Sequence, residues 1–192
     1  MIRIIISGGG TGGHVFPAIA IAQAIRSQTP DSEILFVGAE GRMEMEKVPA
    51  AGFRIEGLPV TGFQRRFALS NLSFPFRLMK SMIRARTIVK SFHPHLVIGV
   101  GGYASGPILR VAATLGIPTL IQEQNSFPGV TNRMLAGSVS RICVAYEGMS
   151  RYFPAEKIIL TGNPVRKDIE SSAVDHDESL RHFHLDPSKK TV

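Results

Sequence analysis

The chain of 192 residues has no tryptophan and one cysteine, Cys143. A single cysteine excludes an intrachain disulfide, and with it the small secreted scaffolds that depend on one; a reducing compartment fits better. Long apolar runs are missing too. A membrane-spanning helix needs about 20 mostly apolar residues. The two longest stretches without Asp, Glu, Lys or Arg, residues 4–25 and 91–109, are both broken by Gly, His and Pro. The opening run Met1-Ile2-Arg3-Ile4-Ile5-Ile6 gives out before Gly8, too short for the core of a signal peptide. Acidic residues are absent from a whole segment. Between Glu56 and Glu123 lie 66 residues without Asp or Glu, and these include Arg65, Arg66, Arg77, Lys80, Arg84, Arg86, Lys90 and Arg110. The acids gather late instead, at Asp168, Glu170, Asp175, Asp177, Glu178 and Asp186. With a net charge of +7, a basic field confined to one segment implies an anionic partner: nucleic acid, lipid head groups or a phosphorylated substrate.

What is present is a globular composition, 44% hydrophobic and 19% charged, which excludes a disordered chain. Short apolar, β-branched runs recur at residues 2–7, 33–38, 53–60, 96–100, 119–122, 141–145 and 157–161, each ending at Gly or a polar turn. Between them, helical spacing runs over 15–27, 43–51, 74–92, 105–115 and 130–136, with a short segment near 147–152. Strands apolar on both faces that alternate with helices predict an α/β fold, a Rossmann-like doubly wound parallel sheet. After Asn163-Pro164-Val165-Arg166 the chain turns acidic and polar. A weak helix is expected near 178–184, and Thr191-Val192 read as the start of another strand. The expected organisation is a domain over 1–163, then a connector and the beginning of a truncated second domain over 164–192.

Two glycine-rich loops carry the chemistry. The first strand runs into Ser7-Gly8-Gly9-Gly10-Thr11-Gly12-Gly13-His14 and then a helix. Glycine allows positive φ and close backbone approach, and amides at a helix N-terminus bind anions. Gly8, Gly10 and Gly13 satisfy the dinucleotide fingerprint G-x-G-x-x-G. A nicotinamide site also wants an acid at the end of the second strand, whereas here Glu40 comes late after Gly38-Ala39. A nucleotide-dependent oxidoreductase therefore stands as an alternative, as does a tight turn with no ligand. The second loop, Gly99-Val100-Gly101-Gly102-Tyr103-Ala104-Ser105-Gly106-Pro107, also follows a strand and opens a helix. On neighbouring strands the two loops face one crevice and suit a diphosphate. A third strand end supplies Gln122-Glu123-Gln124-Asn125, four polar residues costly to bury unless paired.

In order and spacing, Gly9-Gly10-Thr11-Gly12-Gly13-His14-Val15-Phe16-Pro17, the second loop, Glu123-Gln124-Asn125, Thr131-Asn132 and Gly162-Asn163-Pro164-Val165-Arg166 resemble the MurG family. Its members are bacterial N-acetylglucosaminyltransferases of peptidoglycan synthesis. The resemblance covers about residues 1–170 and implies the N-terminal half of a GT-B glycosyltransferase. It implies inverting transfer from UDP-N-acetylglucosamine to the undecaprenyl-diphosphate-linked muramyl pentapeptide, lipid I, giving lipid II. It also implies a place on the cytoplasmic face of the bacterial inner membrane. Most of the donor pocket falls in the other half, so this chain alone is expected to be inactive. An acceptor- and membrane-binding subunit that needs a separate donor-binding chain is the alternative.

Such a transfer needs a base for the attacking hydroxyl, an aligned anomeric carbon and stabilisation of the departing diphosphate. His14 is the first candidate base, since an unperturbed imidazole titrates near about 6.5; the other reading has it orienting the loop. Glu123 is the second candidate, or else a structural carboxylate bonded to backbone amides. By resemblance, Thr11, Gly12, Gly13, Asn125 and Arg166 contact the donor, while Gly10, Gly102, Tyr103 and Ser105 line the acceptor diphosphate site. The family commonly has His where this chain has Gln122, which removes any imidazole chemistry there and leaves a hydrogen-bonding role. No metal-ligand spacing is convincing: His93-Pro94-His95 and His182-Phe183-His184 read as solvated loops, and no cofactor is expected.

The segment 74–92 reads as a helix capped by Ser73 with Pro75 in its first turn. Phe74, Leu78, Met82, Ala85, Val89 and Phe92 form one apolar stripe, assigned to the core. Phe76, Met79 and Ile83 form a second, flanked by Arg77, Lys80, Arg84, Arg86 and Lys90 and extended by Leu72 and Phe67. A second apolar stripe among basic residues suits an anionic membrane surface. Nucleic acid is not expected, because stacking aromatics are few there.

Overall fold

The computed structural model describes residues 1–60, 74–165, 176–186 and 188–190. Seven strands alternate with helices: β1 (Arg3–Gly8), α1 (Gly12–Gln28), β2 (Glu33–Ala39), α2 (Glu44–Ala50), β3 (Arg54–Leu58), α3 (Phe74–Phe92), β4 (Leu96–Gly101), α4 (Ser105–Thr114), β5 (Thr119–Glu123), α5 (Val130–Leu135), β6 (Arg141–Val144) and β7 (Ile158–Leu160). A last short helix, α6 (His176–His182), lies slightly earlier than the sequence suggests. The segment near residues 147–152 forms a single 3-10 turn, Met149–Arg151. The expected strand at Thr191-Val192 falls outside the described residues.

All the strand pairings are parallel, in the order β3-β2-β1-β4-β5-β6-β7. The inner strands β1, β2 and β4 are apolar on both faces, successive side chains pointing to opposite sides, while the edge strands β3 and β7 are largely half-buried or exposed. Ile4, Ile6, Ile34, Phe36 and Ile98 meet α1 and α2 on one face, through Val15, Ala18, Ile19, Ala22 and Val48. Ile5, Leu35, Val37, Val97 and Ile121 meet α3 and α4 on the other, through Ala85, Ile88, Val89, Ile108 and Leu109. The doubly wound sheet expected from the sequence is therefore observed.

Helix α3 corrects one assignment. Its buried positions are Ser81, Ala85, Ile88 and Val89, spaced as one helical stripe. Leu78, expected in the core, is 43% exposed. Phe76, Met79 and Ile83 face outward as expected, at 75%, 62% and 63% exposure. Leu72, Phe67 and Ser73 lie outside the described residues. His95 is less idle than a solvated loop residue: its Nδ1 accepts a hydrogen bond from the Arg3 amide at 3.0 Å, and the His93 carbonyl accepts one from Arg3 Nε at 2.9 Å. The pair fixes the start of β1.

The strand order reverses direction between β1 and β4, and ligands of open α/β sheets bind outside the carboxyl ends of the strands at such a switch point. Both glycine loops leave the sheet there. The β1–β4 register shifts after Ser7, so that Gly8 stands opposite Gly101. The Gly9 amide donates to the Gly101 carbonyl at 3.3 Å. Gly102 has φ +85, and a Cβ on it would lie 2.2 Å from the Gly9 carbonyl oxygen. Gly116, with φ +72, has nothing within 4 Å of such an atom. Alanine at Gly116 therefore carries only the backbone strain, of order 1–3 kcal/mol. Alanine at Gly102 adds a clash between the two loops, and its melting temperature, followed by circular dichroism, should fall further. Equal losses would mean that the loops do not touch.

Candidate active site

The α1 helix begins at Gly12, earlier than the apolar spacing suggests, so Gly12, Gly13 and His14 form its first turn. The Thr11 carbonyl accepts the amides of His14 and Val15. The amides of Thr11, Gly12 and Gly13 have no partner among the described residues, and neither do those of Gly102 and Tyr103. Unsatisfied amides at a helix N-terminus carry partial positive charge and face outward. They edge a cavity of about 240 Å3 that is lined by both glycine loops, Tyr103, and Gly129, Thr131 and Asn132 near the start of α5. His14 also lines it. Its Nδ1 is 3.1 Å from Thr11 Oγ1, and its ring lies against Gly101, where a Cβ would come within 2.8 Å of Nε2. The helix-start side chain that usually caps the backbone is thus diverted to orient the imidazole.

Two buried carboxylates hold the loops. Glu44, at the start of α2, is fully buried. Its Oε1 accepts the Ala39 amide at 2.9 Å and its Oε2 accepts the Gly10 amide at 3.0 Å. It fills the space over Gly9, where a Cβ would lie 2.0 Å from Oε1. The sequence reading missed it, because Glu44 sits in a charged segment that looks solvated. The only signal was the Gly-Gly-Gly run, which leaves room for a large neighbour.

Glu123 ends β5 and is 1% exposed. Oε1 accepts from the Asn125 amide at 3.0 Å and from Asn125 Nδ2 at 3.1 Å; Oε2 accepts from the Gly129 amide at 3.1 Å and Asn132 Nδ2 at 2.9 Å. Four donors occupy the carboxylate, which matches the structural alternative better than the candidate base. Asn132 is 2% exposed, and while its Nδ2 is held by Glu123, its Oδ1 has no partner among the described residues. Gln122 is buried and hydrogen-bonds to Gln124, and its Nε2 approaches Asn163 Oδ1 at 3.5 Å. Asn163 Nδ2 in turn donates to the Gln124 carbonyl at 3.2 Å, which ties the segment after β7 to the end of β5.

The other expected site residues divide. Thr11, His14, Gly102 and Tyr103 line the cavity, and Gly12 and Gly13 stand beside it in the first turn of α1. Gly10 lines it too, but its amide is committed to Glu44 and is not available to a ligand. Ser105 is fully buried, with its hydroxyl donating to the Gly102 carbonyl at 2.9 Å; it braces the second loop and does not line the site. Asn125 lies at the exposed end of β5 and outside the cavity lining. Arg166 lies outside the described residues. Burial pushes the Cys143 thiol up, the Thr161 hydroxyl opposing in part, which favours the protonated thiol at neutral pH. Among the described residues no group of three or more His, Cys, Asp or Glu gathers to hold a metal ion, and no helix is long and apolar enough to cross a membrane.

Comparison with known proteins places these features in a family. Relatives named UDP-N-acetylglucosamine--N-acetylmuramyl-(pentapeptide) pyrophosphoryl-undecaprenol N-acetylglucosamine transferase include one from Phocaeicola vulgatus, 62% identical over all of this chain and 51% of its own length. Another, from Parabacteroides distasonis, is 59% identical over 99% of this chain and 52% of its own length. The chain spans about half the length of the curated relatives it matches. Among solved structures, Acinetobacter baumannii MurG is similar with a TM-score of 0.73 at 30% identity, over 91% of this chain and 50% of that one. A UDP-N-acetylglucosamine 2-epimerase from Neisseria meningitidis shares the fold alone, with a TM-score of 0.64 at 13% identity. The model of the glycosyltransferase family 28 N-terminal domain matches residues 4–144, and the chain belongs to that family.

Proposed function

We propose that this chain is the acceptor-side half of an inverting transferase that moves N-acetylglucosamine from UDP-N-acetylglucosamine to the muramyl sugar of lipid I, giving lipid II. The observation that carries the reading is the crevice where the two glycine loops meet, with free amides on both sides and His14 between them. The names of the relatives at 59–62% identity agree with it.

In the tautomer whose Nδ1–H donates to Thr11 Oγ1, His14 Nε2 carries the lone pair. It takes the proton of the acceptor hydroxyl as that oxygen attacks the anomeric carbon, opposite the departing UDP. The amides of Thr11, Gly12 and Gly13, preorganised at the α1 N-terminus, stabilise the negative charge that develops on the leaving diphosphate. Gly102 and Tyr103 offer their amides to the acceptor diphosphate. Asn125, outside the crevice lining, completes the donor contacts, and the family resemblance assigns Arg166 to the donor as well. Glu123 acts through Asn132 by fixing the amide group that presents Oδ1 to the substrate. Neither a metal nor a cofactor enters the scheme, and nucleic acid is not a partner.

The membrane reading rests on α3. Phe76, Met79 and Ile83 project from the fold beside Lys80 and Arg86, which are also exposed. Arg84 is partly neutralised by Glu56 at 2.9 Å. Such a surface lies on anionic lipid rather than crossing it, and it supports the peripheral association we propose; the cytoplasmic face of the inner membrane follows from the family resemblance.

Three outcomes are expected. The chain alone should produce no lipid II, whereas a chimaera carrying the second half of the Phocaeicola vulgatus relative should turn over. His14→Ala in that chimaera should lower kcat by roughly 10²–10⁴, the range of one general base. Turnover by the chain alone, or an unaffected His14→Ala, defeats these assignments. Sedimentation with phosphatidylglycerol vesicles should fall severalfold in a Met79→Glu, Ile83→Glu variant while its circular dichroism stays folded. Unchanged vesicle binding removes the membrane role from this stripe.

A further inference from the structure

A second cavity, of about 630 Å3, lies among α3, α4 and α5. Its size is within the range of about 300–1,000 Å3 usual for small-molecule sites. Leu78 and Met82 of α3, Pro107 of α4, and Met134 and Leu135 of α5 give it apolar walls. It is not a separate pocket on a remote face. Tyr103 and Thr131 line both this cavity and the crevice between the glycine loops. The charged residues that line it, Arg77 and Arg110, are both cationic. An apolar chamber that shares a wall with the second glycine loop, and whose charged lining among the described residues is cationic, matches an amphiphile with an anionic head and a hydrocarbon chain. The misplaced Leu78 gains a reason: it is half-exposed because it borders this cavity.

Resting on the acceptor reading above, we infer that this cavity holds the first isoprene units of the lipid-diphosphate acceptor. The diphosphate sits at the second glycine loop, and the chain turns past Tyr103 and Thr131 between α3 and α5. The site is distinct from the exposed stripe of Phe76, Met79 and Ile83, none of which lines the cavity.

Calorimetric titration of the chain with inorganic pyrophosphate and with farnesyl diphosphate tests this. Farnesyl diphosphate should bind roughly tenfold or more tightly than pyrophosphate, as expected for burying several methylene groups. Leu78→Glu and Met134→Glu replace residues that are 43% and 79% exposed, so the fold should survive, as circular dichroism will show. Each should erase the gain and leave pyrophosphate binding unchanged. Met79→Glu, on the same helix but off the cavity, should keep it. Equal affinity for the two ligands in the unmodified chain overturns the cavity assignment and leaves the diphosphate reading standing. Binding of neither ligand overturns both. A gain that survives Leu78→Glu and Met134→Glu but disappears in Met79→Glu moves the hydrocarbon to the exposed stripe and overturns the assignment.

Discussion

The whole arrangement depends on two backbone loops coming closer than side chains would permit. The Gly9 amide reaches the Gly101 carbonyl, and Gly102 stands with its α-carbon against the Gly9 carbonyl. A single Cβ at Gly102 would meet backbone, which cannot swing away as a side chain does. This contact closes the floor of the crevice. It also sets where α1 starts, so the first turn of that helix leaves its amides facing outward instead of being folded into the sheet edge. The imidazole of His14 then has one place to lie, across Gly101, because glycine leaves that face bare.

Close approach concentrates amide groups at the sheet edge, and buried carboxylates absorb part of them. Burying a carboxylate costs several kcal/mol unless its oxygens are hydrogen-bonded. Glu44 accepts two backbone amides, and Glu123 accepts two amides and two side-chain nitrogens. Charge-assisted bonds of this kind are the strong ones, and removing either carboxylate strands several donors at once. The consequence for binding is selective. Gly10 is consumed by Glu44, so the first loop presents only the amides of residues 11–13 to a ligand. Asn132 is consumed on its nitrogen side by Glu123, so it presents an acceptor. Amide donors at the rim of a crevice suit a ligand with anionic oxygens.

The sheet was legible because its inner strands are apolar on both faces and stop at a glycine or polar turn. The glycine loops were legible because runs of glycine have few other uses. What the sequence hid were pairings between distant positions. Glu44 lies 34 residues from Gly10, inside a stretch of alternating charge that resembles any solvated helix start. Ser105 looked like a ligand-facing hydroxyl because it follows a glycine loop, yet its partner is the carbonyl three residues back. Leu78 fell on the core stripe by helical angle alone. Angle cannot tell which neighbour a helix meets at each height, and at Leu78 that neighbour is a cavity between α4 and α5. Glu123 was ambiguous for a related reason: a base and a structural carboxylate are the same residue until its donors are counted.

The charge asymmetry of the chain acquires a geometric meaning on this fold. The acid-free interval from residue 57 to 122 supplies α3, the second glycine loop and α4, which are consecutive in space as well as in sequence. Their positive field therefore covers the second loop, the apolar cavity and the exposed stripe together. Screening at physiological ionic strength limits such a field to about 8 Å from each exposed charge. It cannot draw a partner from far away, but it acts at full strength on an anion already lying against α3. On the reading proposed above, in which α3 rests on a membrane surface, a lipid-linked diphosphate meets that condition, since its chain keeps the head group near the same surface. A free anion in bulk water gains much less. The same +7 charge thus favours a tethered substrate over a soluble one of equal charge.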